Sequence, residues 1–231
     1  MSRIAIITAR GGSKRIPRKN IKPFMGKPMV CYAIEAAIGS KLFDEVMVST
    51  DDAEIADIAR KAGAQVPFMR SAATANDFAT TRDVLLEVIV EYKKRGLEFD
   101  EFACIYPCVP FLTSSLLAEA SKKFHASGAD ALMPVVKFSF PIQRAQRVNQ
   151  IGFLEYREPE NATKRSQDLE PIYHDVGMFY YYKTKRFISG GQMNILPFEM
   201  PEERIQDIDT IADWRLAEMK YRVLNDLLNN V

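Results

Sequence analysis

Short apolar runs rich in β-branched residues alternate with helix-period segments along the first 136 residues of the chain. The runs cover 3–8, 45–50, 65–69, 102–106 and 131–136. Between them, 28–40, 52–62, 80–95 and 114–127 carry apolar residues at three- and four-residue spacing. Parallel strands require crossovers of about a dozen residues, usually helical, so this rhythm predicts an α/β fold with a doubly wound, largely parallel sheet of Rossmann-like type. Pro28 opens the first helix and Gly39 is expected at its end, with Gly63 closing the second.

The rhythm changes after Pro141. Residues 141–173 are polar and basic, with two short strand candidates, 146–150 and 153–157, around Gly152. This stretch is expected to leave the main sheet as an excursion, and 178–182 to return as a strand. Residues 210–229 form a long amphipathic helix, with Trp214, Ala217, Tyr221, Leu224 and Leu228 along one face. At 231 residues the chain is long enough for one sizeable domain, 1–231, and short of a comfortable two.

Net charge is +1, so no global field points to nucleic acid or a membrane as partner. The apolar run at 4–7 is too brief for a membrane span and lacks a signal peptide's cleavage region. Cys31, Cys104 and Cys108 are odd in number and sit in apolar segments. They read as buried free thiols, and hence as a sign of the reducing cytoplasm. The charge distribution is uneven, however. Arg3, Arg10, Lys14, Arg15, Arg18, Lys19, Lys22 and Lys27 all precede the first acidic residue, Glu35, and so mark a local anion site.

Most of those cations lie where the first strand runs into Ala9-Arg10-Gly11-Gly12-Ser13-Lys14-Arg15-Ile16-Pro17-Arg18-Lys19-Asn20. This is neither a dinucleotide fingerprint nor a P-loop, yet its chemistry suits a triphosphate. Gly11 and Gly12 let backbone N–H groups approach phosphate oxygens. Arg10 can fork two oxygens, and Lys14 supplies a point charge where a departing pyrophosphate gathers negative charge. The turn falls at the carboxyl end of the first strand, where open α/β sheets bind ligands. Arg70 ends the third run on the same edge and can hydrogen-bond a pyrimidine carbonyl. Asn76, Asp77 and Thr81 either join that site or cap the helix beginning near Thr80. Asp207 and Asp209, one residue apart in an extended segment, point the same way and can reach one or two divalent ions, Mg2+ by preference. Capping of the last helix is the other role open to Asp209.

The pattern Ala-Arg-x-x-Ser-Lys-x-x-Pro-x-Lys-Asn resembles the opening of the CMP-sugar synthetases, the cytidylyltransferases that activate acylneuraminate-type and related nonulosonic acids. Val48-Ser49-Thr50-Asp51, Arg70 with Asp77-Phe78-Ala79-Thr80-Thr81, and Gln206-Asp207-Ile208-Asp209-Thr210 match in order and spacing, over nearly the whole chain. Lys164 to Pro171, Tyr173-His174-Asp175 and residues 77–81 look most like the pseudaminic acid branch. The resemblance implies a nucleotidyltransferase fold and transfer of CMP from CTP to a nine-carbon acidic sugar, releasing pyrophosphate. Acylneuraminic, legionaminic or 3-deoxy-octulosonic acid are the alternative acceptors. It implies nucleotide contacts from residues 9–14, Asn20, Arg70, Thr80 and Thr81, with Arg10, Lys14 and Asp209 catalytic. Asp207 and Asp209 would hold magnesium, and the excursion would reach into the partner's site of a homodimer.

On the acceptor side, Tyr106-Pro107-Cys108-Val109-Pro110-Phe111 stands where the sialic acid enzymes usually read Gln-Pro-Thr-Ser-Pro-Leu, and only the prolines persist. Gln143 stands where a sugar-binding lysine is common, with Arg144 beside it. Arg165 matches an arginine near the sugar carboxylate, and Tyr180 a tyrosine of the same pocket. A wall at 106–109 with fewer hydrogen-bonding groups suits a dideoxy, diamino acid. His174, next to Asp175, is either a catalytic base or a structural or sugar-contacting residue. Neighbours on an extended segment face opposite ways, so the two are not automatically coupled.

Overall fold

The computed structural model of the chain describes residues 1–229, with side chains through residue 226. In chain order the elements used below are β1 (Arg3–Thr8), α1 (Met29–Ser40), β2 (Glu45–Ser49), α2 (Ala53–Lys61), α3 (Thr81–Lys94), β3 (Glu101–Ile105), α4 (Ser114–Ser127) and β4 (Ala131–Lys137). There follow β5 (Gln146–Val148), β6 (Leu154–Tyr156), β7 (Tyr173–Asp175), β8 (Phe179–Lys183), α5 (Thr184–Ser189), β9 (Ile195–Glu199) and α6 (Ile211–Asn229).

Strands β9-β4-β8-β3-β1-β2 lie side by side in that order, and β7 adds to β4. The β1 side chains alternate between two cores because successive residues of a strand face opposite ways. Ala5 and Ile7 pack with α1, α2, α4 and α6, while Ile4 and Ile6 pack with Leu85, Val88 and Tyr92 of α3. Helices therefore cover both faces, as the alternation predicts. β1 is parallel to β2 and β3, and β4 is parallel to β9.

The returning strand, β8, runs antiparallel to both β3 and β4. β4 leaves the sheet at the carboxyl edge and the chain re-enters through β7 at that same edge, so no crossover exists to reverse its direction. The excursion between them holds the β5–β6 hairpin, a sheet of its own.

Two expectations need correction. Residues 65–69 form no strand: a single parallel bridge joins Gln65 to Met47, and the ladder stops where Pro67 has no N–H to donate. Gly39 does not end α1, which closes on Lys41 in the left-handed conformation (φ 55°). Gly39 instead lies at a close helix approach, where a Cβ would sit 2.6 Å from Ser114 Oγ of α4. Folding sets distant acids against several of the early cations, Asp77 against Arg10 and Lys14 and Asp209 against Arg15 and Lys19.

α6 packs on the domain as its apolar stripe predicts, with Trp214 and Ala217 buried; Leu228 lies outside the described side chains. The Phe24 ring meets Tyr32, Trp214 and Tyr221 edge-on at 5.5–5.6 Å between centroids. Such aromatic pairs add about 1 kcal/mol each beyond burial. This cluster fixes the start of α6 against the segment that follows the basic loop.

Candidate active site

The carboxyl ends of β1 and β3, the start of α3 and the segment before α6 surround a cavity of about 690 Å3. Its lining includes Arg10, Ser13, Lys14, Arg15, Lys19, Asn20, Arg70, Asn76, Asp77, Thr81, Tyr106 and Asp209.

The basic loop takes its shape from two internal anchors. Ile16 is buried, so the loop turns inward at its middle. Asn20, also buried, donates from Nδ2 to the Arg10 carbonyl at 2.8 Å and accepts from Cys108 Sγ at 3.2 Å. That second bond ties the loop to the segment after β3. Arg18 adopts φ 57°, a left-handed conformation costly for a residue with a Cβ, and holds both Asp52 and Glu54 at the start of α2.

Gly11 is required by close approach, since a Cβ there would lie 2.8 Å from Asp52 Oδ2. Its N–H donates to Asp51 Oδ1 at 2.8 Å, so this donor, expected to face a phosphate, is engaged by a carboxylate. Ala9 is buried beneath the loop, and neither it nor Gly11 and Gly12 lines the cavity.

Two carboxylates meet the loop cations. Asp77 receives Arg10 Nη1 at 2.9 Å and Lys14 Nζ at 2.5 Å, and the Lys14 hydrogen bond, then its charge and Arg10, hold its carboxyl below the usual range. Asp209 receives Arg15 Nη1 at 2.9 Å and Lys19 Nζ at 3.6 Å. Neither aspartate caps a helix. The α3 cap is a box between Thr80 and Asp83, and Asn76 instead accepts from the Phe78 and Ala79 N–H groups to shape the preceding turn. At α6, Asp213 accepts from Thr210 and from the Asp209 N–H, which leaves the Asp209 carboxylate to the cavity.

Asp207 sits behind Asp209 and is not part of the lining; burial, then the charge of Asp209, raises its pKa. Burial likewise pushes the Cys108 thiol up to about 12, with Asp207 and Asp209 acting in the same direction against Lys19. The sulfur therefore stays a thiol next to the acidic pair.

Arg70 is buried at the cavity edge. Nε donates to Ser49 Oγ at 3.1 Å and Nη2 to the Ser49 carbonyl at 2.7 Å, and burial lowers its pKa while leaving it a cation. Thr81, the first residue of α3, lies 3.4 Å from the Tyr106 hydroxyl. Thr80 spends its hydroxyl on the cap.

The other acceptor-side residues are more dispersed. Tyr180 is buried behind Tyr106 and donates to Asp175 Oδ2 at 2.7 Å. Gln143 bonds the Glu170 carbonyl, Arg144 bonds Ser166, and Arg165 is exposed; all three lie in the excursion, outside the lining. His174 packs on the Phe138 ring at 4.7 Å between centroids, while the Asp175 carboxylate points to Tyr180. The two side chains face opposite ways, and the His174 ring meets the Asp175 backbone carbonyl, at 3.0 Å, instead of its carboxylate.

Asp52 was not singled out in the sequence, and neither were the pairings of Asp51 with Gly11, Asp77 with Arg10 and Lys14, and Asp175 with Tyr180. Each acts on a residue far from it in sequence or on another strand, and a carboxylate's partner carries no local pattern.

A cationic loop at the carboxyl edge of an α/β sheet, facing aspartates across one cavity, defines a Rossmann-like nucleotidyltransferase. The family model described as "Cytidylyltransferase" matches residues 4–208. The chain belongs to the cytidylyltransferase family. It is 38% identical over 226 residues to the pseudaminic acid cytidylyltransferase of Campylobacter jejuni serotype O:2, covering 96% of this chain and 97% of that one. It is 31% identical to the CMP-N,N'-diacetyllegionaminic acid synthase of Legionella pneumophila, covering 93% and 94%. A solved CMP:2-keto-3-deoxy-manno-octonic acid synthetase complexed with CTP shares the fold, with a TM-score of 0.70 at 20% identity over 98% of this chain and 100% of that one.

Proposed function

We propose that this cytidylyltransferase makes CMP-pseudaminic acid and pyrophosphate from CTP and the free nine-carbon acid. The observation that carries the reading is the convergence of Arg10, Lys14 and Arg15 with Asp209 on one cavity. The identity to pseudaminic acid cytidylyltransferases supports the choice of acid.

The anomeric hydroxyl attacks the α-phosphorus of CTP, the P–O bond to the pyrophosphate breaks, the new bond joins CMP to the sugar, and the hydroxyl proton passes to solvent. Arg10 and Lys14 hold the β- and γ-phosphates, with Ser13 and Asn20 beside them. Arg70 and Thr81 face the pyrimidine. Positioning and fixed charge supply most of the acceleration in such transfers. Tyr106 forms the acceptor wall with Tyr180 packed behind it, and Gln143, Arg144 and Arg165 of the excursion, with His174 of β7, are the further residues assigned to the acid.

Magnesium fits the donor set present. Among the described residues no cluster of three or more His, Cys, Asp or Glu side chains builds a cage, but magnesium ordinarily takes one or two carboxylates together with substrate phosphates. Asp209 offers a hard oxygen ligand in the cavity beside the phosphate cations, and Asp207, outside the lining, would supply a second only by turning inward. When bound there, the ion neutralises charge developing on the triphosphate.

The enzyme works as a homodimer in the cytoplasm. Ile151, Phe153 and Leu154 around the β6 strand are exposed at 77%, 68% and 68%, an apolar surface that a second copy covers. Cys31, Cys104 and Cys108 are free, which suits a reducing compartment, and among the described residues no helix is long and apolar enough to cross a membrane.

Pyrophosphate release from CTP, measured against a panel of pseudaminic, legionaminic, acylneuraminic and 3-deoxy-octulosonic acids, tests this reading. The highest kcat/KM is expected with pseudaminic acid. Silence with every acid would discard the reaction, and a clear preference for another acid would discard the acceptor.

A further inference from the structure

Four loop cations line the cavity, and two acids divide them. Asp209 pairs with Arg15 and Lys19, and Asp77 with Arg10 and Lys14. Asp77 Oδ1 accepts Arg10 Nη1 at 2.9 Å, and its Oδ2 accepts Lys14 Nζ at 2.5 Å. This carboxylate neither caps α3 nor shapes its own turn. Thr80 and Asp83 form the cap, and the Asn76 side chain holds the turn by accepting from the Phe78 and Ala79 N–H groups. Asp77 itself lines the cavity, so its charge stands beside the two cations assigned to the β- and γ-phosphates. The place is wet: the adjacent Phe78 is 94% exposed, and the three paired side chains are 41–78% exposed. Ion pairs so exposed are weak and readily exchanged.

We infer that Asp77 competes with phosphate for Arg10 and Lys14, so that the site takes up CTP and gives up pyrophosphate by exchanging one anion for another on the same two cations. The inference rests on the reading of this cavity as the triphosphate site of a cytidylyltransferase. Asp77 touches no reacting atom and acts only through the cations it holds, as a positioning residue. A triphosphate carries more charge than one carboxylate and takes the cations when it enters. When pyrophosphate departs, Asp77 recovers them. Phosphate affinity that is equal before and after transfer adds nothing to kcat. A pyrophosphate held by four unopposed cations would leave slowly, and Asp77 lowers that affinity.

One other arrangement uses the same contacts. Arg10 has five N–H donors and Lys14 three, so Asp77 can hold one donor of each and aim the rest at the phosphates. The two arrangements differ in sign: removing a competitor tightens pyrophosphate binding, and removing a brace loosens it. A brace stands behind the groups it aims, out of the ligand's way. Asp77 stands in the lining beside them, which favours competition.

Calorimetry with inorganic pyrophosphate and a chelator, on wild type, Asp77→Asn and Asp77→Glu, decides between them. Asparagine keeps the shape without the charge, and both the turn and the α3 cap are held by other residues, so the variant is expected to fold. Asp77→Asn should bind pyrophosphate about tenfold more tightly, the scale of losing two exposed ion pairs. Pyrophosphate should inhibit its turnover at a correspondingly lower concentration. Asp77→Glu keeps the charge and should stay close to wild type. In a Lys14→Met background one contested cation is gone, and the gain from Asp77→Asn should shrink to about threefold. Four results would overturn the inference: unchanged or weaker binding in Asp77→Asn, a gain that Asp77→Glu shares, a gain undiminished by Lys14→Met, or no pyrophosphate binding in any variant. The measurement needs no acceptor. An enzyme silent with every acid would therefore sink the proposed reaction and still leave the contest for Arg10 and Lys14 decided.

Discussion

Arg15 Nη1 lies 2.9 Å from Asp209 Oδ2, an ion pair that joins the basic loop after β1 to the segment entering α6. The two residues come from nearly opposite ends of the chain, and the aromatic cluster around Phe24 holds their segments in register. Cationic and anionic halves of the cavity are thereby brought to one place.

Asp209→Ala is therefore expected to reduce turnover by at least about 100-fold, the usual scale for losing one charge-stabilising group. CTP binding measured by calorimetry in the presence of a chelator should persist, because the loop cations remain. Full turnover in this variant would remove Asp209 from the metal assignment.

The Thr80–Asp83 box closes the first turn of α3, with Asp83 N–H donating to Thr80 Oγ1 at 3.2 Å and Thr80 N–H to Asp83 Oδ2 at 2.8 Å. Thr80→Ala should lower unfolding stability by about 1 kcal/mol, and Thr80→Ser should recover most of it. Urea denaturation followed by circular dichroism distinguishes them; equal midpoints for Ala and Ser would mean the hydroxyl does not cap.

Asp52 is held below the ordinary carboxylate range first by its hydrogen bond to Arg18, aided by the Ile55 and Glu54 N–H groups. A depressed folded pKa adds stability that is present above the unfolded value of about 4 and is lost as pH falls through the folded value. Arg18→Met returns Asp52 toward its ordinary pKa. The variant should lose its fold at a higher pH than wild type during acidification, with ellipticity recorded from about pH 5 downward.

Ile151→Asp combined with Phe153→Asp places charge on the exposed tip of the β5–β6 excursion. Light scattering should show a dimer for wild type and a monomer for the variant. An unaltered mass would place the subunit contact elsewhere, and a fully active monomer would deny the excursion any part in a partner's site.

Much of the site could be read residue by residue. The loop from Arg10 to Asn20 is contiguous, so its cations and glycines announce themselves together, and Asp207 and Asp209 stand one residue apart. Asp77 was visible only as a cap or as part of a motif. Its bridging of Arg10 and Lys14 depends on a turn shaped by Asn76 and on how far α3 sits from β1. Gln143, Arg144 and Arg165 match a family pattern, yet their side chains are engaged within the excursion or exposed, outside the cavity lining.

By itself the sequence determined most of the local order: where most strands and helices lie, that helices cover both faces, and which loop gathers the cations. Those properties follow from backbone preference and side-chain period, which act over a few residues. Only the tertiary structure decided that 65–69 stops at one bridge and that β8 enters antiparallel. It alone placed Asp209 beside Arg15 and the Asp175 carboxylate against the Tyr180 hydroxyl. These depend on where distant segments meet, and a charge pair or a side-chain hydrogen bond exists only once packing has brought its partners within reach.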